Sequence, residues 1–464
     1  MQLKDDKRQK NQLQQALAFP ETGRSEAPDS SGRGTESSVA KHKSESPASS
    51  EQLMEEICQV ENCKQALARV KRNKGSPGID GMTVEKLPDY LKQHWPKVKE
   101  QLLSGTYKPQ PVKRVEIPKP DGGMRKLGIP TALDRWIQQM VLQVLQRSWD
   151  PTFSAHSYGF RPGRSAHQAV AQAQQYISEG HDWVVDLDLE KFFDRVNHDR
   201  LMARMAQRIS DKRVLKLIRR FLQAGVMENG LVSPVDEGTP QGGPLSPLLS
   251  NIVLDELDRE LERRGHRHVR YADDCNIYVR SHRAGERVME SVTRYLTTKL
   301  KLKVNQAKSA VAQPKARKFL GFSFTGGEKP RRRIAPKAIL RFKERIRELT
   351  SRTRGISMEQ RAKELSAYLL GWRGYFGFCQ TPSVLYTLDQ WLRRRLRSVI
   401  WKQWKRGRTR FVELRQRGVG PDLAATTAGS AHGPWRLANS RALATALPNV
   451  YFDSLGIPRL ADSC

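Results

Sequence analysis

Apolar residues along this chain change their spacing several times, and each change marks an element. A helical pattern runs from Leu53 to Val70 and stops at the turn Gly75-Ser76-Pro77-Gly78. Val112 to Pro118 and Arg125 to Ile129 read as two strands around Asp121-Gly122-Gly123. Helices and short strands then alternate up to Phe324, the pattern of an α/β or α+β core. From Arg331 the texture becomes helical. Ile339, Phe342, Ile346 and Leu349 recur at steps of three and four and make one apolar stripe. Leu385, Leu388, Leu392, Leu396 and Val399 make another, and the aromatic-rich stretch Tyr368 to Phe378 lies between them. The tail from Gly407 to Cys464 is punctuated by Gly418, Gly420, Gly429 and Gly433, which predicts a compact appendage with little regular structure. Residues 1–50 hold a single aromatic, Phe19, and no periodicity, so they are expected to be disordered.

Charge narrows the function classes. The formal net charge is +32 over 464 residues. Self-repulsion of that size opposes folding, but it suits a protein that lies along a polyphosphate and displaces its counterions. The excess is concentrated: residues 331–410 carry 22 Lys/Arg against 5 Asp/Glu, a balance of +17. That segment therefore predicts a helical domain with an apolar core and a cationic outside directed at nucleic acid. The five cysteines are odd in number and contain no C-x2-C pair, which argues against a disulfide framework or a zinc site. No apolar leader and no apolar run of membrane-spanning length occurs, so neither secretion nor a membrane partner is expected.

The candidate chemistry rests on acids. Asp273-Asp274 sit between the β-prone runs Val269–Tyr271 and Asn276–Val279, at the tip of an expected hairpin. Adjacent acids in a turn are common, and a metal site needs a further carboxylate. It is offered by Trp183-Val-Val-Asp186-Leu-Asp188, where period-two alternation puts Trp183, Val185, Leu187 and Leu189 on one face and both acids on the other. An acid on so apolar a strand is costly unless it is paired or binds a cation. Carboxylates are the hard oxygen ligands that Mg2+ requires, and two such ions about 4 Å apart can activate a 3′-hydroxyl and stabilise a leaving pyrophosphate. Periodicity leaves Asp186 and Asp188 as equal candidates for the strand ligand.

Seven motifs now stand in order: Asn73-Lys-Gly-Ser-Pro-Gly-Ile-Asp-Gly81, Ile117-Pro-Lys-Pro-Asp-Gly-Gly-Met-Arg-Lys-Leu-Gly-Ile-Pro130, Ser157-Tyr-Gly-Phe-Arg-Pro-Gly163, Asp188-x3-Phe-Phe-Asp194, Gly238-Thr-Pro-Gln-Gly-Gly-Pro-Leu-Ser-Pro247, Tyr271-Ala-Asp-Asp274 and Lys318-Phe-Leu-Gly-Phe322. From about Cys63 to the C-terminus, this order resembles the bacterial group II intron-encoded reverse transcriptases, also called maturases. The resemblance implies an α+β right-hand polymerase of fingers and palm, a C-terminal α-helical thumb or maturase domain and a small DNA-binding tail. The implied boundaries are 1–52 (disordered extension), 53–130 (N-terminal extension and fingers), 131–330 (fingers and palm), 331–406 (thumb or maturase) and 407–464 (DNA-binding region).

The family's strand acid precedes Phe-Phe by four residues. This implies Asp188 and Asp273 as ligands of two Mg2+ ions, Asp274 as the less direct third acid, and Asp186 as a neighbour. Phe193 resembles the bulky residue that excludes a ribose 2′-hydroxyl and so favours dNTPs, leaving Phe192 for the core. Lys119 and Arg125 would clamp the triphosphate, Arg as a planar fork and Lys as a point charge. Gln241 and Gly242 lie in a loop whose small residues permit close approach of template and nucleotide, and Tyr271 would stack near the primer end. Ser246-Pro247 suit an N-cap and first helical residue.

Gly371-Trp-Arg-Gly-Tyr-Phe376 resembles the maturase segment that grips intron RNA and promotes its splicing. Arg331, Arg332 and Arg333 begin that basic segment. Arg393-Arg394-Arg395, Arg397 and Lys402 are expected on the wet side of its last helix, against RNA. His432 to Asn439 and Tyr451 to Leu455 resemble the family's DNA-binding region. The Cys/His endonuclease domain of many relatives is not expected, so the primer would come from elsewhere. The implied partners are the intron RNA in a ribonucleoprotein, a DNA target and primer, and dNTPs, in the bacterial cytoplasm at the nucleoid. Rival readings are a splicing-only RNA-binding maturase, an RNA-dependent RNA polymerase, and a domesticated enzyme of phage defence or CRISPR systems.

Overall fold

The structure is a computed structural model describing residues 52–118, 123–228, 231–233, 237–238 and 242–461. The expected disordered extension at 1–50, and also Lys119 and Gln241, lie outside the described residues. The chain divides into two compact units. One comprises the described residues up to Ala173 with His181–Ala312; the other comprises Gln174–Gly180 and Gln313 onward.

In the first unit the elements run α1 (Leu53–Ile57), α2 (Val60–Arg72), α3 (Leu87–Leu103), β1 (Val112–Pro118), β2 (Met124–Ile129), α4 (Ala132–Trp149), α5 (Ala166–Ser178), β3 (Trp183–Leu187), α6 (His198–Ala206), α7 (Lys212–Leu222), β4 (Val226–Glu228), β5 (Leu231–Ser233), α8 (Ser246–Arg263), β6 (Arg267–Tyr271), β7 (Asp274–Val279), α9 (His282–Tyr295) and β8 (Ala310–Ala312). The hairpin expected at 112–129 is β1–β2, paired Lys113↔Ile129 through Pro118↔Met124, in a sheet of order β2-β1-β4-β5. The single helix read at 53–70 is two, α1 and α2, parted at Cys58-Gln59.

A second sheet has the order β6-β7-β3-β8, with antiparallel pairing throughout. Val185, Leu187, Val269 and Ile277 are buried in it to 1% exposure or less. Each such side chain stabilises the fold by roughly 1.5–3 kcal/mol relative to leaving it in water. The expected alternation of β3 holds except at Val184, which is also buried, so both faces of the sheet are covered there. Helix α4 is almost wholly buried, and its start is tightly capped. The Thr131 hydroxyl accepts from the Asp134 amide at 3.1 Å and donates to the Asp134 carboxylate at 2.7 Å. Such a cap satisfies amides that would otherwise be orphaned at the helix start. Helix α8 begins at Ser246 as its first residue, with Leu245 as the N-cap and Pro247 in the first turn, one position earlier than expected.

The second unit holds β9 (Phe322–Phe324), β10 (Arg332–Ile334), α10 (Pro336–Leu349), α11 (Met358–Phe376) and α12 (Ser383–Gln403), followed by α13 (Gly407–Gln416), α14 (Pro421–Ala428), α15 (Pro434–Leu437), α16 (Arg441–Ala446) and α17 (Asn449–Ser454). Phe342, Ile346 and Leu349 of α10 and the whole stripe Leu385 to Val399 of α12 are buried, as their spacing predicts. The tail corrects an expectation: it is not poor in regular structure, and its described residues form five short helices. Gly420-Pro421 and Gly433-Pro434 open helices there, each Pro taking an early position where no amide bond is lost.

Candidate active site

The hairpin β6–β7 carries Tyr271-Ala-Asp-Asp274. Tyr271 pairs with Asp274, so Ala272 and Asp273 form a two-residue loop, with Ala272 in the left-handed region at φ 57°. The β3–β7 ladder ends at Leu187↔Cys275, which makes Asp188 and Asp274 the next residues along the two strands. Asp186 lies one step back, opposite Asn276 and Ala310. The Asp188 amide donates to Ser309 Oγ at 3.0 Å, its carbonyl accepts from Asn305 N at 2.8 Å, and Lys308 Nζ stands 3.8 Å from its carboxylate.

Asp273 is half-buried and Asp274 exposed. Burial pushes the Asp273 carboxyl above the usual aspartate range. The Asp188 charge adds to the rise, while its own backbone amide, Arg125 and Arg270 oppose it. Asp188 and Arg125 are thus each within electrostatic reach of Asp273. Among the described residues, no three carboxylate, histidine or cysteine side chains are gathered closely enough to cage a cation. Mg2+ is usually held through one or two carboxylates with substrate phosphates and waters, so an oxygen-only pair such as Asp188 and Asp273 is chemically suited to it.

Around these acids the other expected positions fall as follows. Phe192 is buried, and Phe193 packs edge-on against it at 5.3 Å while keeping part of its surface free. Gly238 lies against the Phe193–Asp194 backbone, where a Cβ would come within 2.8 Å of the Phe193 carbonyl. Gly242, at φ 129°, lies against β2, where a Cβ would meet the Gly128 carbonyl at 2.6 Å. Tyr271 is half-buried and faces the exposed Phe160 ring at 6.3 Å.

Several residues beneath the hairpin were not picked out by sequence reasoning. Arg270, fully buried, binds Asp258 with Nε at 2.8 and 3.0 Å and with Nη2 at 2.6 Å. It also donates to Asn251 Oδ1, Ser157 Oγ and the Ala272 carbonyl. The turn Ser157-Tyr-Gly-Phe160 is its neighbour: Arg270 N donates to the His156 carbonyl, and Tyr158 N to the Arg270 carbonyl, both at 2.9 Å. The available signal was Asp258, an acid among Leu254, Leu257 and Leu261 on α8, where an unpaired charge would be costly.

In the second unit, the basic residues divide. Arg331 and Lys402 are exposed. Arg332 stacks over Phe378 at 3.8 Å and donates to Gln174 Oε1, and Arg333 donates to Ser323 Oγ and the Lys315 carbonyl. Arg394 lies over Trp435 at 4.1 Å, Arg395 donates to Thr350 Oγ1, and Arg397 donates to the Leu447 carbonyl. Arg393 corrects the expectation of a wet face. It is 1% exposed and spans Asp389, Asp453 and the carbonyls of Ile457 and Pro458. It faces the tail helices, which cover that side of α12.

A four-stranded antiparallel sheet with an acidic hairpin beside an acid-ended strand is the palm of a template-directed polymerase. Residues 117–324 match the family described as reverse transcriptase (RNA-dependent DNA polymerase), and residues 339–418 match the group II intron, maturase-specific domain. In carrying both domains in this order, the chain is similar to the group II intron-encoded reverse transcriptases with a maturase domain. It is 39% identical over 220 residues to Protein YkfC of Escherichia coli (strain K12), covering 46% of this chain and 58% of that one. It is 41% identical over 181 residues to the group II intron-encoded protein LtrA of Lactococcus lactis subsp. cremoris, covering 39% of this chain and 29% of LtrA. A Putative COX1/OXI3 intron 1 protein of Saccharomyces cerevisiae is 33% identical over 206 residues, 44% of this chain and 25% of that protein. The chain therefore spans between about a quarter and three-fifths of the length of these relatives. Reverse transcriptase domains generally use divalent metal ions. Among the described residues, no helix is long and apolar enough to cross a membrane.

Proposed function

We propose that the protein is an RNA-directed DNA polymerase encoded by a group II intron, which also binds that intron's RNA to promote splicing and copies it into DNA during retrohoming. The observation that carries this reading is the strand register that brings the end of β3, at Asp188, beside the Asp273-Asp274 hairpin inside the segment matching the reverse transcriptase family. Asp188 and Asp273 would hold two Mg2+ ions, with Asp274 completing the acidic set. When bound, such a pair activates the primer 3′-hydroxyl and stabilises the departing pyrophosphate. Arg125, whose charge already acts on Asp273, would orient the triphosphate together with Lys119. Phe193 would close the sugar pocket against a 2′-hydroxyl. Gln241 and Gly242 would form the floor for template and nucleotide, and Tyr271 would rest against the primer end.

On this reading residues 53–130 and 131–330 are fingers and palm, 331–406 the thumb, and 407–464 a DNA-contacting region. Arg331 and Lys402, exposed like Lys337, Arg341 and Arg352, would meet RNA phosphates there. Partners would be the intron RNA, a DNA target and primer, and dNTPs, with the protein acting at the nucleoid. The test gives purified protein an RNA template, an annealed DNA primer, Mg2+ and either dNTPs or NTPs. Incorporation of dNTPs, abolished in Asp273→Ala, is expected. Absence of incorporation, equal use of NTPs, or an unaffected Asp273→Ala variant would each overturn the corresponding part.

A further inference from the structure

The guanidinium of Arg270 has five N–H donors in a rigid fork, and each has an acceptor. Nε serves Asp258. Nη1 serves Asn251 Oδ1 at 3.0 Å and the Ala272 carbonyl at 2.9 Å. Nη2 serves Asp258 Oδ2 at 2.6 Å and Ser157 Oγ at 2.8 Å. Both members of the ion pair are fully buried.

Two strained turns hang on this one group. Ala272, at φ 57°, is the residue before Asp273, and its carbonyl is held directly. Phe160, an exposed aromatic at φ 59°, follows Gly159, whose carbonyl accepts from Asn251 Nδ2 at 2.9 Å. Positive φ is a sterically costly conformation for an aromatic residue, and such outliers persist only where their surroundings over-determine them. Stability alone does not account for the arrangement. Desolvating both charges costs about as much as their attraction returns, and apolar pairs of similar volume are often as stable or more so. What an apolar pair cannot do is hold a carbonyl at one residue's distance from an acid.

We infer that Arg270 is a positioning residue for nucleotidyl transfer. Through the Ala272 carbonyl it sets the tip of the hairpin, and so the placement of the Asp273 carboxylate toward Asp188 and a divalent cation. The inference rests on the polymerase reading above. Lysine cannot replace it, since an ammonium lacks the planar fork needed to reach Asp258, Ser157, Asn251 and Ala272 together.

The test compares wild type with Arg270→Met/Asp258→Leu, in which no buried charge is left unpaired, and with Arg270→Lys. Melting and primer-template affinity report the fold. Polymerase kcat, the dNTP KM and the half-saturating Mg2+ concentration report the hairpin. Mn2+ binding by electron paramagnetic resonance, with primer-template and a non-incorporable dNTP analogue, gives a readout independent of turnover. The double variant is expected to melt near wild type and bind primer-template equally. Its kcat should fall by about 100-fold, the cost of a misplacement near 1 Å, with a raised Mg2+ requirement, weaker Mn2+ binding and little change in KM. Arg270→Lys should not restore kcat. A folded double variant with wild-type kcat and Mg2+ dependence would overturn the inference. Wild-type protein that incorporates nothing would overturn the polymerase reading instead. In that case Mn2+ affinity decides the role of Arg270: equal affinity in wild type and double variant overturns it, and weaker affinity in the variant upholds it.

Discussion

Replacing Gly159 by alanine should disable the hairpin without touching an acid. A Cβ built at Gly159 falls 2.2 Å from the Ala272 amide nitrogen, 3.0 Å from the Tyr271 carbonyl carbon and 3.1 Å from Ala272 Cα. All three are backbone atoms, so no side-chain rotation relieves the contact. Restoring ordinary van der Waals separation, 3.4 Å, requires the turn and the hairpin to part by about 1.2 Å. Both are tied to Arg270 and Asn251, so the separation strains the same hydrogen bonds that hold Ala272. Overpacking of this kind costs about 1–3 kcal/mol, which lowers the melting temperature but leaves the unit folded. A displacement near 1 Å at reacting groups costs about 100-fold in rate. Steady-state primer extension on an RNA template, paired with thermal melting, measures both. The control is Gly374→Ala, at an exposed position of α11 where a Cβ meets nothing within 4 Å; it should stabilise by roughly 1 kcal/mol and leave kcat unchanged. A Gly159→Ala protein with wild-type kcat and melting would refute the close approach of turn and hairpin and the reasoning built on it.

Asp273→Asn should raise the melting temperature in metal-free buffer at neutral pH. Burial lifts the folded-state pKa of Asp273 above its unfolded value, so its contribution is favourable at low pH and is lost as pH rises through the folded value. The gap between variant and wild type should therefore shrink toward the ordinary aspartate value of about 4, and a gap that widens on acidification would contradict the sign. Arg393→Ala should cost about 3 kcal/mol in denaturant unfolding, because Asp389 and Asp453 lose a buried partner, whereas Lys402→Ala, at an exposed site, should cost almost nothing. RNA affinity should fall steeply with salt, by a slope of about 0.7–0.9 per phosphate neutralised; a shallow slope would contradict phosphate gripping by the helical unit.

Much of the fold was legible because its elements announce themselves locally. The stripes of α10 and α12 need only a period of 3.6, and the β1–β2 hairpin needs only two β-prone runs around Asp121-Gly-Gly. The tail hides its helices for an equally local reason. Gly418, Gly420, Gly429 and Gly433 are breaks, as their composition predicts, but the helices around them run for only four to ten residues, too short for an apolar period to emerge. Glycine before proline closes one element and opens the next, a distinction that spacing does not carry. Such short helices are stable only through packing, as at Leu437, Leu443 and Phe452, all buried.

The acids of the site were legible because they are written as motifs, while the groups that place them were not. Arg270 meets Asp258 at 12 residues' separation, Asn251 at 19 and Ser157 at 113, and only a folded chain brings those distances to hydrogen-bond length. The same limit governs the charge argument. A balance of +17 over residues 331–410 counts cations without saying which are spent. Arg393 is buried between Asp389 and Asp453, with Nη2 donating to Asp453 and two carbonyls, and Arg332, Arg333, Arg395 and Arg397 are largely committed to partners within their own unit. Arginine can be both kinds of residue because its five donors suit carbonyls and carboxylates as well as phosphates. The electrostatic footprint for a nucleic acid is therefore narrower than the composition suggests. It falls to exposed positions such as Arg331 and Lys402, and the buried arginines serve instead to fix the surface on which those charges are displayed.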